Sequence, residues 1–159
     1  MSTGSAFVRI SSWCSYQERS QQETRRKLQQ MGISKKEAEE IIAKLISENF
    51  LNEERFALAF AGGRFRIKHW GRNKIRAALR MHNVSNANLE NALASLPSEE
   101  YERAISLAID KKMKLMPFAD RHRRYHAVMS YAVSRGFESE LVTLQLNRIL
   151  GEQGDDIRT

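Results

Sequence analysis

One pattern recurs three times along the chain and limits what it can fold into. Leu28, Met31, Gly32, Ile33, Ser34, Ala38, Ile41, Ile42 and Leu45 are matched 51 residues later, without a gap, by Leu79, His82, Asn83, Val84, Ser85, Leu89, Ala92, Leu93 and Leu96. A third copy lies 104 residues after the first, at Ala132, Arg135, Gly136, Phe137, Glu138, Val142, Gln145, Leu146 and Ile149. Gly32, Asn83 and Gly136 share one phase, and Gly and Asn are the residue types that accept the left-handed backbone closing a helix. Each copy therefore reads as helix, tight turn, helix. Small helical units in series bury their cores against neighbours and present an extended surface rather than a deep pocket. Such a chain is suited to binding something long.

Local signals agree with this reading. Ser20 with Glu23 and Ser34 with Glu37 have the S-x-x-E spacing in which hydroxyl and carboxylate satisfy free N–H groups at a helix start. The helix after Ser34 carries Ala38, Ile41, Ile42 and Leu45 on one stripe and its charges off it. A further helix starts at Asn52 and is expected to bury Phe56, Phe60 and Ile67. The second copy predicts helices over 72–82, 85–96 and 98–116, with Pro97 dividing the last two and Ser98 available as a cap. Pro117 marks the entry to the third copy, with helices over 118–135 and 138–150. No sustained period-two alternation occurs, so the fold class is all-α. The expected organisation is a flexible tail over 1–12, helical repeats over 13–69, 70–116 and 117–150, and a flexible tail over 151–159, in one elongated, curved domain.

Charge narrows the partner. Lys and Arg number 26 against 19 acids, a formal charge of +7, which favours an anionic surface such as nucleic acid, an acidic protein face or anionic lipid. From 55 to 89 no Asp or Glu occurs, while Arg55, Arg64, Arg66, Lys68, Arg72, Lys74, Arg76 and Arg80 do. Arg72, Arg76 and Arg80 drift along one helix flank beside the Ile75, Leu79 stripe, and so are expected to reach an anion without disturbing packing. Smaller clusters stand at Arg25, Arg26 and Lys27, and at Lys111, Lys112, Lys114, Arg121, Arg123 and Arg124. A charge run is ordinarily a solvated helix face, but an ordinary soluble surface mixes both signs. The candidate contact residues are therefore Arg25, Arg26, Lys27, Arg64, Arg66, Lys68, Arg72, Lys74, Arg76, Arg80, Arg121, Arg123 and Arg124. Phe65 and Trp70 lie inside the basic window, where an aromatic either packs at a joint, its commoner fate, or stacks on a base.

Little else points to chemistry. Cys14 is the only cysteine, so no intramolecular disulfide or thiolate cluster can form, and it reads as a packed small hydrophobe. His122 and His126 share a helix face, but the arginines around them repel a cation, so metal binding is not expected there. Gly62-Gly63 lacks the flanks of a phosphate loop, and no nucleophile elbow appears. The expectation is a non-enzymatic monomer without cofactor or metal. No apolar run is long enough for a signal peptide or a membrane span, so no membrane partner and a reducing cytoplasm are expected.

Several of these segments resemble the RecX family of recombinase regulators. Ser20-Gln21-Gln22-Glu23-Thr24-Arg25-Arg26-Lys27-Leu28 is similar to its first helix. Phe50-Leu51-Asn52-Glu53-Glu54-Arg55-Phe56-Ala57 resembles its most distinctive segment. Trp70-Gly71-Arg72-Asn73-Lys74-Ile75 with Leu79 looks like the entry to its second unit, and Arg135-Gly136-Phe137 like the joint of its third. The likeness runs from Trp13 to Leu150, departing at Asn52-Glu53, where two aspartates are common, and at Asn83, where glycine is usual. It implies three tandem three-helix units, a partner in the RecA recombinase filament whose ATP hydrolysis and strand exchange are restrained in DNA repair and recombination, and some weaker binding to single- and double-stranded DNA. It transfers no catalytic residue. The alternative is a helix-turn-helix DNA-binding module or transcription regulator, which would concentrate polar side chains on one reading helix, whereas here Lys and Arg spread over several.

Overall fold

A computed structural model of the chain describes residues 2–152. Among these residues there are nine helices and no strand: α1 Thr3–Tyr16, α2 Gln21–Gln30, α3 Lys35–Ser47, α4 Glu53–Arg66, α5 Arg72–Met81, α6 Asn86–Ala94, α7 Ser98–Lys114, α8 Arg121–Ser134 and α9 Ser139–Glu152. The all-α expectation is met, and the expected starts have their expected causes. Ser20 Oγ accepts from Glu23 N while Glu23 Oε1 accepts from Ser20 N, each at 3.0 Å. Ser34, Asn52, Ser85 and Asp120 each accept one N–H three residues on. Helix α7 is the exception, since its cap position is Pro97 and not Ser98, and no side chain closes it.

The three joints are one motif. Gly32, Asn83 and Gly136 have φ of 82°, 58° and 100°. In each, the left-handed residue donates three positions back, to Gln29, Arg80 or Val133 O, and the next residue donates five back, to Leu28, Leu79 or Ala132 O. Those paired bonds satisfy carbonyls that a helix end otherwise leaves open. Ile33, Val84 and Phe137, the residues after each joint, are buried with Leu28, Leu79 and Ala132.

Two expectations for the amino-terminal part are corrected. Residues 1–12 were expected as a flexible tail, yet from Thr3 they are helix α1, capped by Ser2. Ala6, Ile10 and Cys14 at i, i+4 and i+8 enter a core with Leu28, Ile33, Ala38, Ile41, Ile42, Leu45 and Leu51. Ile67 was expected to be buried, but α4 ends at Arg66 and Ile67 is exposed beyond it, while Phe56 is buried and Phe60 half-buried.

Helices α1, α2 and α3 pack on one another, as do α7, α8 and α9. Glu53 Oε2 ties α4 to the start of α6, accepting from Ser85 N at 3.2 Å and Asn88 Nδ2 at 2.7 Å. The copies seen in sequence are thus the second and third helices of each triplet, and α1, α4 and α7 open the triplets. This frame begins one helix earlier than the expected 13–69, 70–116 and 117–150. By contact density the chain forms two compact units, one of Met1–Gly63 with Ala77–Ser95 and one of Arg64–Arg76 with Leu96–Thr159. The tail expected over 151–159 lies outside the described residues except for 151 and 152, which belong to α9.

Candidate nucleic-acid interface

The candidate cations divide by what already holds them. In the first unit, Arg25 on α2 grips Glu39 on α3 with two bonds, Nε to Oε1 at 2.5 Å and Nη2 to Oε2 at 3.2 Å. That grip holds the Glu39 carboxyl below the usual carboxylate range. Arg26 is exposed and outside any ion pair among the described residues, and Lys27 Nζ lies 5.9 Å from the Trp13 ring centroid, beside Arg19 at 4.0 Å. Arg55, which opens the acid-free window, bonds Glu18 at 2.5 Å. Arg80 near the end of α5 is exposed with no ion pair among the described residues.

The second unit holds Arg72 most firmly. Its Nη1 donates to Glu138 Oε2 at 2.8 Å, and its guanidinium carbon sits 3.8 Å over the Tyr101 ring centroid. The Tyr101 hydroxyl donates to Glu138 Oε1 and accepts from Arg72 N at 2.9 Å. Burial pushes the Tyr101 hydroxyl well above its ordinary value. Burial would also raise the Glu138 carboxyl, but hydrogen bonds from Tyr101 and Arg72 outweigh it and hold that group below the usual range. The expectation that Arg72 reaches an anion without disturbing packing is therefore corrected: it is the cationic member of a triad with buried Tyr101 and half-buried Glu138.

The start of α5 is closed to anions by the same seat. Gly71 N donates to Arg135 O at 2.8 Å and Asn73 N to Gly136 O at 2.9 Å. The open N–H groups of one helix thus meet the open C=O groups at the end of α8, oppositely signed dipole ends. A Cβ on Gly71 would stand 2.4 Å from Gly136 C, and one on Gly136 would stand 2.5 Å from Lys74 Cβ. Glycine at both positions is a condition of this contact.

Around Trp70, Arg64 lies 5.4 Å and Lys74 4.8 Å from the ring centroid. Phe65 is core, stacked on Tyr101 at 5.7 Å, whereas Trp70 is half-buried and reaches the surface. Arg66 approaches Glu100 at 3.7 Å with both side chains largely exposed, a weak pair. Arg76 Nη1 bonds Asn73 Oδ1 at 2.9 Å. Lys68 is exposed and lends its carbonyl to Arg135. On α8, Arg123 pairs at 3.8 Å with Asp120, while Arg121 and Arg124 are half-buried. Lys111, outside the candidate set, is exposed with no ion pair among the described residues. Its visible signal was membership of the Lys111, Lys112, Lys114 cluster.

Cys14 is buried, and burial pushes its thiol up, away from nucleophilic use. The His122 and His126 rings pack on each other at 4.4 Å. Among the described residues no helix is long and apolar enough to cross a membrane. The arrangement offers separate cations on successive helices, suited to contacting charge rather than reading bases.

The helical triplets have counterparts among known proteins. Residues 8–45 match the family description "RecX, first three-helix domain" and residues 52–93 match "RecX, second three-helix domain". The chain is similar to the Regulatory protein RecX of Prosthecochloris aestuarii, 31% identical over 150 residues that cover 93% of this chain and 95% of that protein. It is 23% identical to the Regulatory protein RecX of Oceanobacillus iheyensis over 91% of this chain, but spans only 53% of that relative's length. The crystal structure of RecX from Lactobacillus salivarius shares the fold with a TM-score of 0.83 at 17% identity, covering 94% of this chain and 97% of the other. The chain belongs to the RecX family of regulatory proteins.

Proposed function

We propose that this chain is a non-enzymatic regulator that binds the RecA recombinase filament assembled on DNA and restrains its ATP hydrolysis and strand exchange, with weaker binding to DNA alone. Family membership supports the regulatory role. The observation that carries the mode of binding is that each triplet presents an exposed cation with no ion pair among the described residues: Arg26 on α2, Arg80 on α5 and Lys111 on α7. A cation on each triplet suits contact with the phosphates or carboxylates of a polyanion, and such contacts are insensitive to base sequence. The steady-state ATPase of a DNA-bound recombinase, titrated with this protein, tests the reading. The rate falls as the protein is added, and the protein alone hydrolyses nothing. An unchanged rate at every ratio, with the protein shown to be folded, would overturn it.

A further inference from the structure

The loop between α7 and α8 ends in a tip that packing does not account for. Met116 to Ala119 form a turn in which Ala119 N donates to Met116 O at 3.4 Å. Pro117 stands at its second position, where the ring presets the backbone. Phe118 follows and is 99% exposed, so the helix expected over 118–135 starts only at Arg121, after its Asp120 cap. A proline-fixed turn thus holds an aromatic ring in water instead of folding it away, against the usual gain from burial.

The surroundings of the ring select a ligand. Lys111, Lys112 and Lys114 end α7, and Arg121, Arg123 and Arg124 begin α8. The acids of this stretch, Asp110 and Asp120, are engaged by Lys114 at 3.0 Å and Arg123 at 3.8 Å. Exposed His122 and His126 add further rings on the same helix. An apolar protein partner would favour a broad uncharged patch, and duplex DNA keeps its base faces stacked. Alternating rings and cations instead suit unpaired bases on a charged backbone.

We propose that this tip binds single-stranded nucleic acid, with Phe118 stacking on an unpaired base while the flanking cations of α7 and α8 hold the phosphates. The proposal rests on the polyanion reading above and adds a place in the fold and a residue. Its test contains no recombinase, so it can fail while inhibition of the recombinase stands.

Fluorescence anisotropy of a labelled oligo-dT, measured with the whole chain over a series of salt concentrations, provides that test. Phe118→Ala weakens binding between about fivefold and a hundredfold, with the salt slope unchanged because no phosphate contact is lost. Phe118→Leu shows the same loss, since it keeps apolar bulk without a ring, and Phe118→Trp restores binding. A DNA hairpin duplex shows no such pattern. Wild-type affinity in the Ala or Leu variant, equal losses on oligo-dT and duplex, or no binding of oligo-dT by the wild-type chain would each overturn the proposal.

Discussion

Gly32 and Gly136 close equivalent joints with the same backbone hand and the same paired hydrogen bonds, but their surroundings are opposite. A Cβ on Gly32 would meet nothing within 4 Å, whereas one on Gly136 would strike the backbone and Cβ of Lys74. At the first joint glycine answers a conformational need alone. At the third it also makes room for the start of α5, where the Arg72, Tyr101, Glu138 triad locks the contact. A repeat can therefore keep its turn while one copy takes on a second task that the repeat pattern does not announce.

The largest expected effect is at the crowded joint. Gly136→Ala should lose about 2–5 kcal/mol of unfolding free energy in denaturant titration, combining strain at positive φ with overpacking. Gly136→Asn should do no better despite its tolerance of that φ. A mild Asn variant here would break the comparison.

Next in size is the lock. Arg72→Gln leaves Glu138 half-buried without its cation and should cost about 1–3 kcal/mol, so replacing Arg72, Arg76 and Arg80 together would destabilise the fold and obscure any binding effect. The same triad sets a pH dependence. Because Glu138 is held below the usual range in the fold, its stabilisation is present above the ordinary carboxylate pKa and is lost as pH falls through the folded value. The raised Tyr101 hydroxyl acts at the other end, contributing fully below about pH 10 and losing its contribution as pH rises beyond that. Melting temperature against pH should show both flanks in the wild-type chain and a flattened acid flank in Glu138→Gln.

The open joint should respond less. Gly32→Val should cost about 1–2 kcal/mol from φ strain alone, and Gly32→Asn well under about 1 kcal/mol, as Asn83 already holds the equivalent place. Matching melts for the Val and Asn variants would remove the conformational half of the comparison.

The smallest stability effects fall on the exposed cations. Arg26→Gln, Arg80→Gln and Lys111→Gln should each stay within about 0.5 kcal/mol of wild type. Where the side chain meets a phosphate, each should reduce the salt slope of DNA binding by about one. Unchanged slopes in all three would assign these residues to solvated faces.

What could be read from the chain was local. Ser20, Ser34, Asn52 and the three joints act through neighbours within about one turn, so their spacing carried the helix boundaries. Helix α1 carries no comparable signal, because its buried stripe is thin, Ala6, Ile10 and Cys14, on a serine-rich helix of modest propensity. The acid-free window misled for the opposite reason. Arg55, Arg66 and Arg72 find carboxylates at Glu18, Glu100 and Glu138, far outside the window, and counting charge along a chain does not register such partners. The pool of available cations is consequently smaller than the 13 candidates, and Lys111 belongs in it.

The triad also bears on how the molecule is made. Arg72 and Glu138 stand 66 positions apart, so at about 5–20 residues per second a ribosome delivers the second about 3–13 seconds after the first. During that interval the first turn of α5 has neither the carbonyls of Arg135 and Gly136 nor the Tyr101 hydroxyl to accept its N–H groups. The first turn of the second triplet's middle helix is therefore completed only by residues of the third triplet, and a chain cut short before residue 135 would leave the ribosome with that turn unseated.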